Sequence, residues 1–189
     1  LVVYRNPPLR PCGAPPLLRR GGTTPPLLRT TVKILIVKTS SMGDVVHAMP
    51  AISDIAANIP GVVIDWIVEA PFAGLPALHP AVRNVIPIAW RKWRKSLGKP
   101  ETRAALKAAR AAIAKENYDL VFDLQGLVKS ALWATQANGA RAGYDWASAR
   151  EPLASLFYKK RAAVDKTLHA VERSRRLAAA HLGYEVAGK

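Results

Sequence analysis

From Lys33 onward the apolar residues keep two alternating rhythms. Residues 34–37, 62–68, 84–88 and 120–124 form short β-branched and aliphatic runs, as expected of strands buried on both faces. Between them the spacing turns helical. Residues 44–59 place Val45, Val46, Met49, Ile52, Ile55 and Ala56 on one side. Residues 100–117 begin at Pro100 and line up Ala105, Leu106, Ala109, Ala112 and Ile113. Further helices are predicted at about 127–137, 149–158 and 166–182, with Gly183 as the stop for the last. Strands separated by helices predict an α/β domain with a Rossmann-like, doubly wound parallel sheet and right-handed crossovers.

Residues 1–31 break the pattern. They hold seven of the chain's 15 prolines, five arginines and no acid, and Pro-Pro-Leu-Arg recurs in expanded form at 7–10, 15–19 and 25–29. Proline removes backbone donors and fixes φ, so a disordered extension is expected here. The segment lacks the serines of an organelle transit peptide and the continuous apolar stretch of a secretory signal. The expectation is a natural start at Val32, read from an alternative start codon, with 1–31 lying upstream and 32–189 forming the domain. At 189 residues the chain accommodates one domain with a sizeable core, not two full Rossmann-like domains. Its single cysteine, Cys12, offers neither a disulfide framework nor a metal cluster and fits a reducing, cytosolic compartment. No apolar run approaches the roughly 20 residues of a membrane-spanning helix.

Charge changes the picture. The net charge is +15, and removing the five arginines of the first segment leaves +10 on residues 32–189. That excess calls for an anionic partner. Nucleic acid is disfavoured, because no helix-turn-helix, zinc-finger, RNP or basic-zipper signature occurs. An anionic membrane surface or phosphorylated glycolipid fits better. Trp90-Arg-Lys-Trp-Arg-Lys95 interleaves two indoles with four cations; tryptophan favours headgroup depth, and arginine forks match phosphate oxygens. A solvated basic loop whose indoles rest on the domain is the alternative.

The candidate chemistry lies in the turn Lys38-Thr-Ser-Ser-Met-Gly-Asp44, between the first strand and the first helix. In open α/β sheets ligands bind at this place. Asp44 suits a catalytic base or a simple helix N-cap; Lys38, Ser40 and Ser41 lie close in sequence, and Lys38 could hold Asp44 ionised. Asp123-Leu-Gln-Gly126 ends a second strand facing the same cleft, and there Asp123 suits the satisfaction of backbone amides. Lys129 follows one turn into the next helix. No glycine-rich dinucleotide or Walker loop appears, which disfavours NAD and ATP enzymes; no cofactor and no metal are expected.

The turn also carries a resemblance. KILIVKTSSMGDVVHAMPAISDI, IDWIVE, ALHPAVRNVIPI, WRKWRK, YDLVFDLQGLVKSAL, GYDWASAREPLASLFY and HAVERSRRL follow one another in family order from Val32 onward. Together they resemble the bacterial ADP-heptose:lipopolysaccharide heptosyltransferases, in particular their type I branch. The resemblance implies the N-terminal, acceptor-binding half of a two-domain GT-B glycosyltransferase, with the C-terminal donor-binding domain absent from this chain. It further implies inverting, metal-independent transfer of L-glycero-D-manno-heptose from ADP-heptose to a Kdo residue of Kdo-lipid A. The enzyme would be peripheral on the cytoplasmic face of the inner membrane. In that reading Asp44 is the base, and Arg91, Arg94, Lys95 and Arg150 contact acceptor phosphates, with Lys38, Ser40, Ser41 and Lys129 also acceptor-facing. ADP-heptose would be held mainly by the other half. The alternative is a non-catalytic domain that binds anionic glycolipid or a membrane surface.

Overall fold

A computed structural model describes residues 4–5 and 31–186 of the chain. Its strands are β1 (Tyr4–Arg5), β2 (Lys33–Val37), β3 (Val63–Glu69), β4 (Val82–Ile88), β5 (Asn117–Asp123), β6 (Asn138–Tyr144) and β7 (Lys160–Ala162). They form one sheet in the order β1-β4-β3-β2-β5-β6-β7, parallel throughout except for the antiparallel edge strand β1. The helices are α1 (Met42–Asn58), α2 (Gly74–Ala77), α3 (Trp90–Trp93), α4 (Pro100–Ala114), α5 (Val128–Ala134) and α6 (Ala170–Leu182). Of the extension expected to be disordered, Tyr4–Arg5 pair with Asn84 and Val85; the rest of that expectation lies outside the described residues, apart from Thr31.

The period-two alternation of β2 explains how the sheet acquires two cores. Ile34 and Ile36 point to one face, where α1 and α6 bring Val45, Ile52, Ile55 and Leu177 against Trp66, Phe122 and Leu124. Leu35 and Val37 point to the other, against Ile67, Ile86, Val121 and the residues Trp93, Ile113 and Trp133 of α3, α4 and α5. A strand buried on both faces must be apolar throughout, and β2 is fully buried from Ile34 to Val37. Arg175 clasps the helices of the first face with a fork onto Asp54, Nε to Oδ2 at 2.7 Å and Nη2 to Oδ1 at 3.2 Å.

Three expectations are corrected. The strand Asn138–Tyr144 was not predicted, because Asn-Gly-Ala-Arg-Ala-Gly-Tyr has neither apolar continuity nor alternation. Its glycines are dictated by neighbours. At Gly143 a Cβ would sit 2.5 Å from Cε2 and 2.7 Å from Cδ2 of Tyr158. Gly143→Ala is therefore expected to destabilise the fold by about 1–3 kcal/mol, as overpacking does; an unchanged thermal midpoint would contradict it. The helix expected at 149–158 is instead a 3₁₀ turn, Pro152–Phe157, whose leucines at i and i+3, Leu153 and Leu156, face solvent. The last helix begins at Ala170 rather than 166, because the His169 ring caps it by accepting from Val171 N. Gly183 ends it with φ 75°, the left-handed C′ geometry.

Candidate functional site

The strand-to-helix turn after β2 is held by hydrogen bonds from both neighbouring strands. Trp66 Nε1 donates to Lys38 O at 3.0 Å, and Glu69 N donates to Thr39 O at 2.9 Å. On the other side Gln125 grips the turn with both ends of its amide. Its Oε1 accepts from Thr39 N and Thr39 Oγ1 at 2.8 Å each, and its Nε2 donates to Ser40 O at 3.0 Å. Gln125 is itself placed by Asp123, whose buried carboxylate accepts from Gln125 N (2.7 Å), Gly126 N (3.2 Å), Ser130 Oγ (2.7 Å) and Tyr158 Oη (2.7 Å). Asp123 is thus committed to the amides at the strand end, as its sequence position suggested. Burial raises its pKa despite those four donors.

Asp44 lies at this turn but does not cap α1 in the way expected. Ser41 is the N-cap and Asp44 the third helical residue; its Oδ2 accepts from Ser41 N at 3.0 Å and from Ser41 Oγ at 3.3 Å. This is the reciprocal arm of a capping box, which satisfies an otherwise orphaned donor while leaving Oδ1 directed elsewhere. Lys38 Nζ stands 4.0 Å and Arg150 Nη1 3.4 Å from Oδ1. Partial burial raises the Asp44 pKa, but the Ser41 N–H, Lys38 and Arg150 outweigh it and hold the carboxyl below its usual range. Lys38 is almost wholly buried, donates to Leu124 O at 2.9 Å, and is pushed down by that burial to about 8.

Lys38, Asp44, Leu124, Gln125, Tyr144 and Arg150 line a small cleft closed on its far side by the first turn of α6, with Ala170, Arg173 and Ser174. A second group of predicted residues gathers on the other flank of the turn. Lys129 Nζ donates to Ser40 Oγ at 2.8 Å, and Arg91 N donates to the buried Glu69 at 3.3 Å. Burial lowers the Lys129 pKa and raises that of Glu69, and the charges of Arg91 and Arg94 act on both. The indoles of the basic segment rest on the domain: Trp90 and Trp93 lie 6.2 and 6.3 Å from Trp133, centroid to centroid. Arg91, Arg94 and Lys95 remain exposed. Sequence reasoning missed Gln125 as the clasp of the turn, and it missed Tyr144 and Arg173 as cleft walls. An amide two residues after a strand-end aspartate was the available signal for the first.

A carboxylate held below its usual pKa beside two cations thus stands at the carboxyl end of a Rossmann-like parallel sheet, the place where open α/β sheets bind ligands. Residues 106–189 match the model of glycosyltransferase family 9 (heptosyltransferase). The lipopolysaccharide heptosyltransferase 1 of Escherichia coli (strain K12) is 53% identical over 154 residues, 81% of this chain and 48% of that protein. The Salmonella typhimurium enzyme of the same name is 51% identical over 155 residues, 82% of this chain and 49% of its own length. The solved structure of E. coli heptosyltransferase WaaC with ADP-2-deoxy-2-fluoro heptose superposes with a TM-score of 0.80 at 52% identity, covering 82% of this chain and 49% of that one. The chain belongs to the heptosyltransferase family of glycosyltransferases. It spans about half the length of the curated relatives it matches.

Proposed function

We propose that this chain is the acceptor-binding half of a lipopolysaccharide heptosyltransferase of type I. In this reading Asp44 removes the proton from a Kdo hydroxyl of Kdo-lipid A as that oxygen attacks the anomeric carbon of ADP-heptose with inversion. The observation that carries it is Asp44 itself: a carboxylate that lines the cleft, with Oδ2 held by Ser41 and Oδ1 facing Lys38 and Arg150, whose charges favour its ionised form. The geometry supports a base that is in the correct protonation state at neutral pH and needs no reorganisation to act. A relative's structure holds an ADP-heptose analogue, and donor binding here would fall mainly to the half that this chain does not span.

Arg91, Arg94, Lys95 and Lys129 would take phosphates of the acceptor on the outer flank, where arginine forks suit phosphate oxygens. The same basic flank, with Trp90 at its edge, would rest on the anionic cytoplasmic face of the inner membrane, each nearby cation adding about 1 kcal/mol. Among the described residues no helix is long and apolar enough to cross a membrane.

The deciding experiment is heptose transfer from ADP-heptose to Kdo-lipid A, measured with this chain alone and with a protein carrying both halves. Transfer by the two-half protein only is the expected result, because both reactants must be held in register. Its failure to transfer would leave glycolipid binding without catalysis as the better account.

A pH dependence follows from Lys38. Its ammonium, pushed down to about 8 by burial, is charged at pH 7 and largely neutral at pH 9. Acceptor affinity should therefore fall by about tenfold between those pH values, and Lys38→Met should flatten the profile. Fold stability runs the other way: the buried charge is disfavoured in the fold, so stability rises as pH climbs from about 8 toward 10.5. An affinity that is level from pH 7 to 9 in the unmodified chain would contradict the role given to Lys38.

A further inference from the structure

Three cations face one carboxylate in the cleft: Lys38, Arg150 and Arg173 against Asp44. The excess positive charge suits an anion, and Arg173 is incompletely used by the protein. It projects from the first turn of α6 and lies over the Tyr144 ring, 5.0 Å from its centroid. Its Nη2 donates to Ser148 O at 2.7 Å. Its Nε is buried and finds no acceptor among the described residues. The guanidinium plane is therefore fixed by an aromatic face and a carbonyl, while the buried Nε–H is left without a partner on the edge with which an arginine grips a carboxylate. Buried donors of charged groups are seldom left without a partner, and Arg173 lines the cleft that holds Asp44.

We infer that Arg173 is a further acceptor-binding residue, which with Lys38 and Arg150 receives the carboxylate of the acceptor's acidic sugar. The inference rests on the reading that the acceptor enters this cleft. A carboxylate is favoured over a phosphate by position. The phosphate-matching cations Arg91, Arg94 and Lys129 stand on the opposite flank of the turn, whereas the anion nearest a reacting Kdo hydroxyl is the sugar's own carboxylate. Held by Arg173, that group would fix the ring's orientation and present the attacking hydroxyl to Asp44.

The test is binding of three probes to this chain by ligand-observed NMR: the α-methyl glycoside of Kdo, its methyl ester, and inorganic phosphate. The unmodified chain should bind the free acid about tenfold more tightly than the ester. In Arg173→Met that preference should collapse toward one. In Arg173→Lys, which keeps a cation over Tyr144 without the fork, the preference should fall to an intermediate value. The lysine variant carries the test if the methionine variant does not fold, as its thermal midpoint would reveal. Retention of the full acid-over-ester preference in the folded variants would overturn the role of Arg173 and leave the cleft reading standing. Absence of glycoside binding to the unmodified chain would overturn both. Displacement of the glycoside by phosphate at equal concentration would overturn the carboxylate assignment.

Discussion

Asp44→Asn in a protein carrying both halves should lower heptose transfer by roughly 10²–10⁴-fold, the usual contribution of one positioned base, or about 3–5 kcal/mol of barrier. Asparagine is the informative replacement because its Oδ1 can still accept from Ser41 N, as Asp44 Oδ2 does at 3.0 Å. The start of α1 is then preserved while basicity is lost. Asp44→Ala removes both and adds a capping cost of about 0.5–2 kcal/mol, so it confounds the two roles. The expected signature for Asp44→Asn is a large fall in kcat with only a modest fall in thermal midpoint, from the lost attraction to Lys38 and Arg150. Full turnover would assign the proton transfer to another group and reduce Asp44 to a structural partner of Ser41. The low pKa of Asp44 also has a cost in base strength. As a base it would trade proton affinity for certainty of ionisation, and positioning of the hydroxyl would have to supply the rest.

The largest stability effect should come from Asp123→Ala. Its carboxylate is inaccessible to solvent and accepts from two amides and two hydroxyls. Truncation would strand those donors in the interior, where each unmade bond costs about 1–3 kcal/mol before relaxation. A net loss of about 3–5 kcal/mol is expected, a fall in thermal midpoint of about 6–20 °C for a domain of this size. Asp123→Asn should be milder, since one amide oxygen can still serve Gln125 N and Gly126 N while the hydroxyls of Ser130 and Tyr158 turn to accept. Chemical denaturation measures both, and a loss below about 1 kcal/mol in Asp123→Ala would refute the assignment. Acceptor binding should weaken with it, because the same carboxylate positions the residue that clasps Thr39 and Ser40.

Legibility in the sequence followed burial. β2, β3 and β5 are buried on both faces, so their residues announce themselves without knowledge of the neighbours. β6 does not, because Gly139 and Gly143 are chosen by what lies against them, the Tyr118 carbonyl and the Tyr158 ring. β7 is three residues at the edge with no buried position to read. The 152–157 turn misled for the opposite reason: apolar spacing that implies a buried helix face belongs here to exposed leucines. In the site, Lys38 and Asp44 were legible as the ends of one turn. Arg150 reached the list through the family resemblance, since it meets Asp44 across 106 residues of chain. Arg173 was hidden among the charges of an ordinary helix start, and only folding shows that its neighbours leave part of it unsatisfied.

The central pairing of β2 with β5 joins residues such as Ile34 and Leu120, 86 positions apart. On the ribosome, where chains grow at about 5–20 residues per second, β2 must wait ~4–17 s for that partner to be made. Through that interval Ile34–Val37 carry aliphatic side chains on both sides and one unpaired row of backbone amides, a template for pairing with another chain. The double burial that places this strand at the centre of the finished sheet therefore also makes it an exposed apolar segment of the nascent chain.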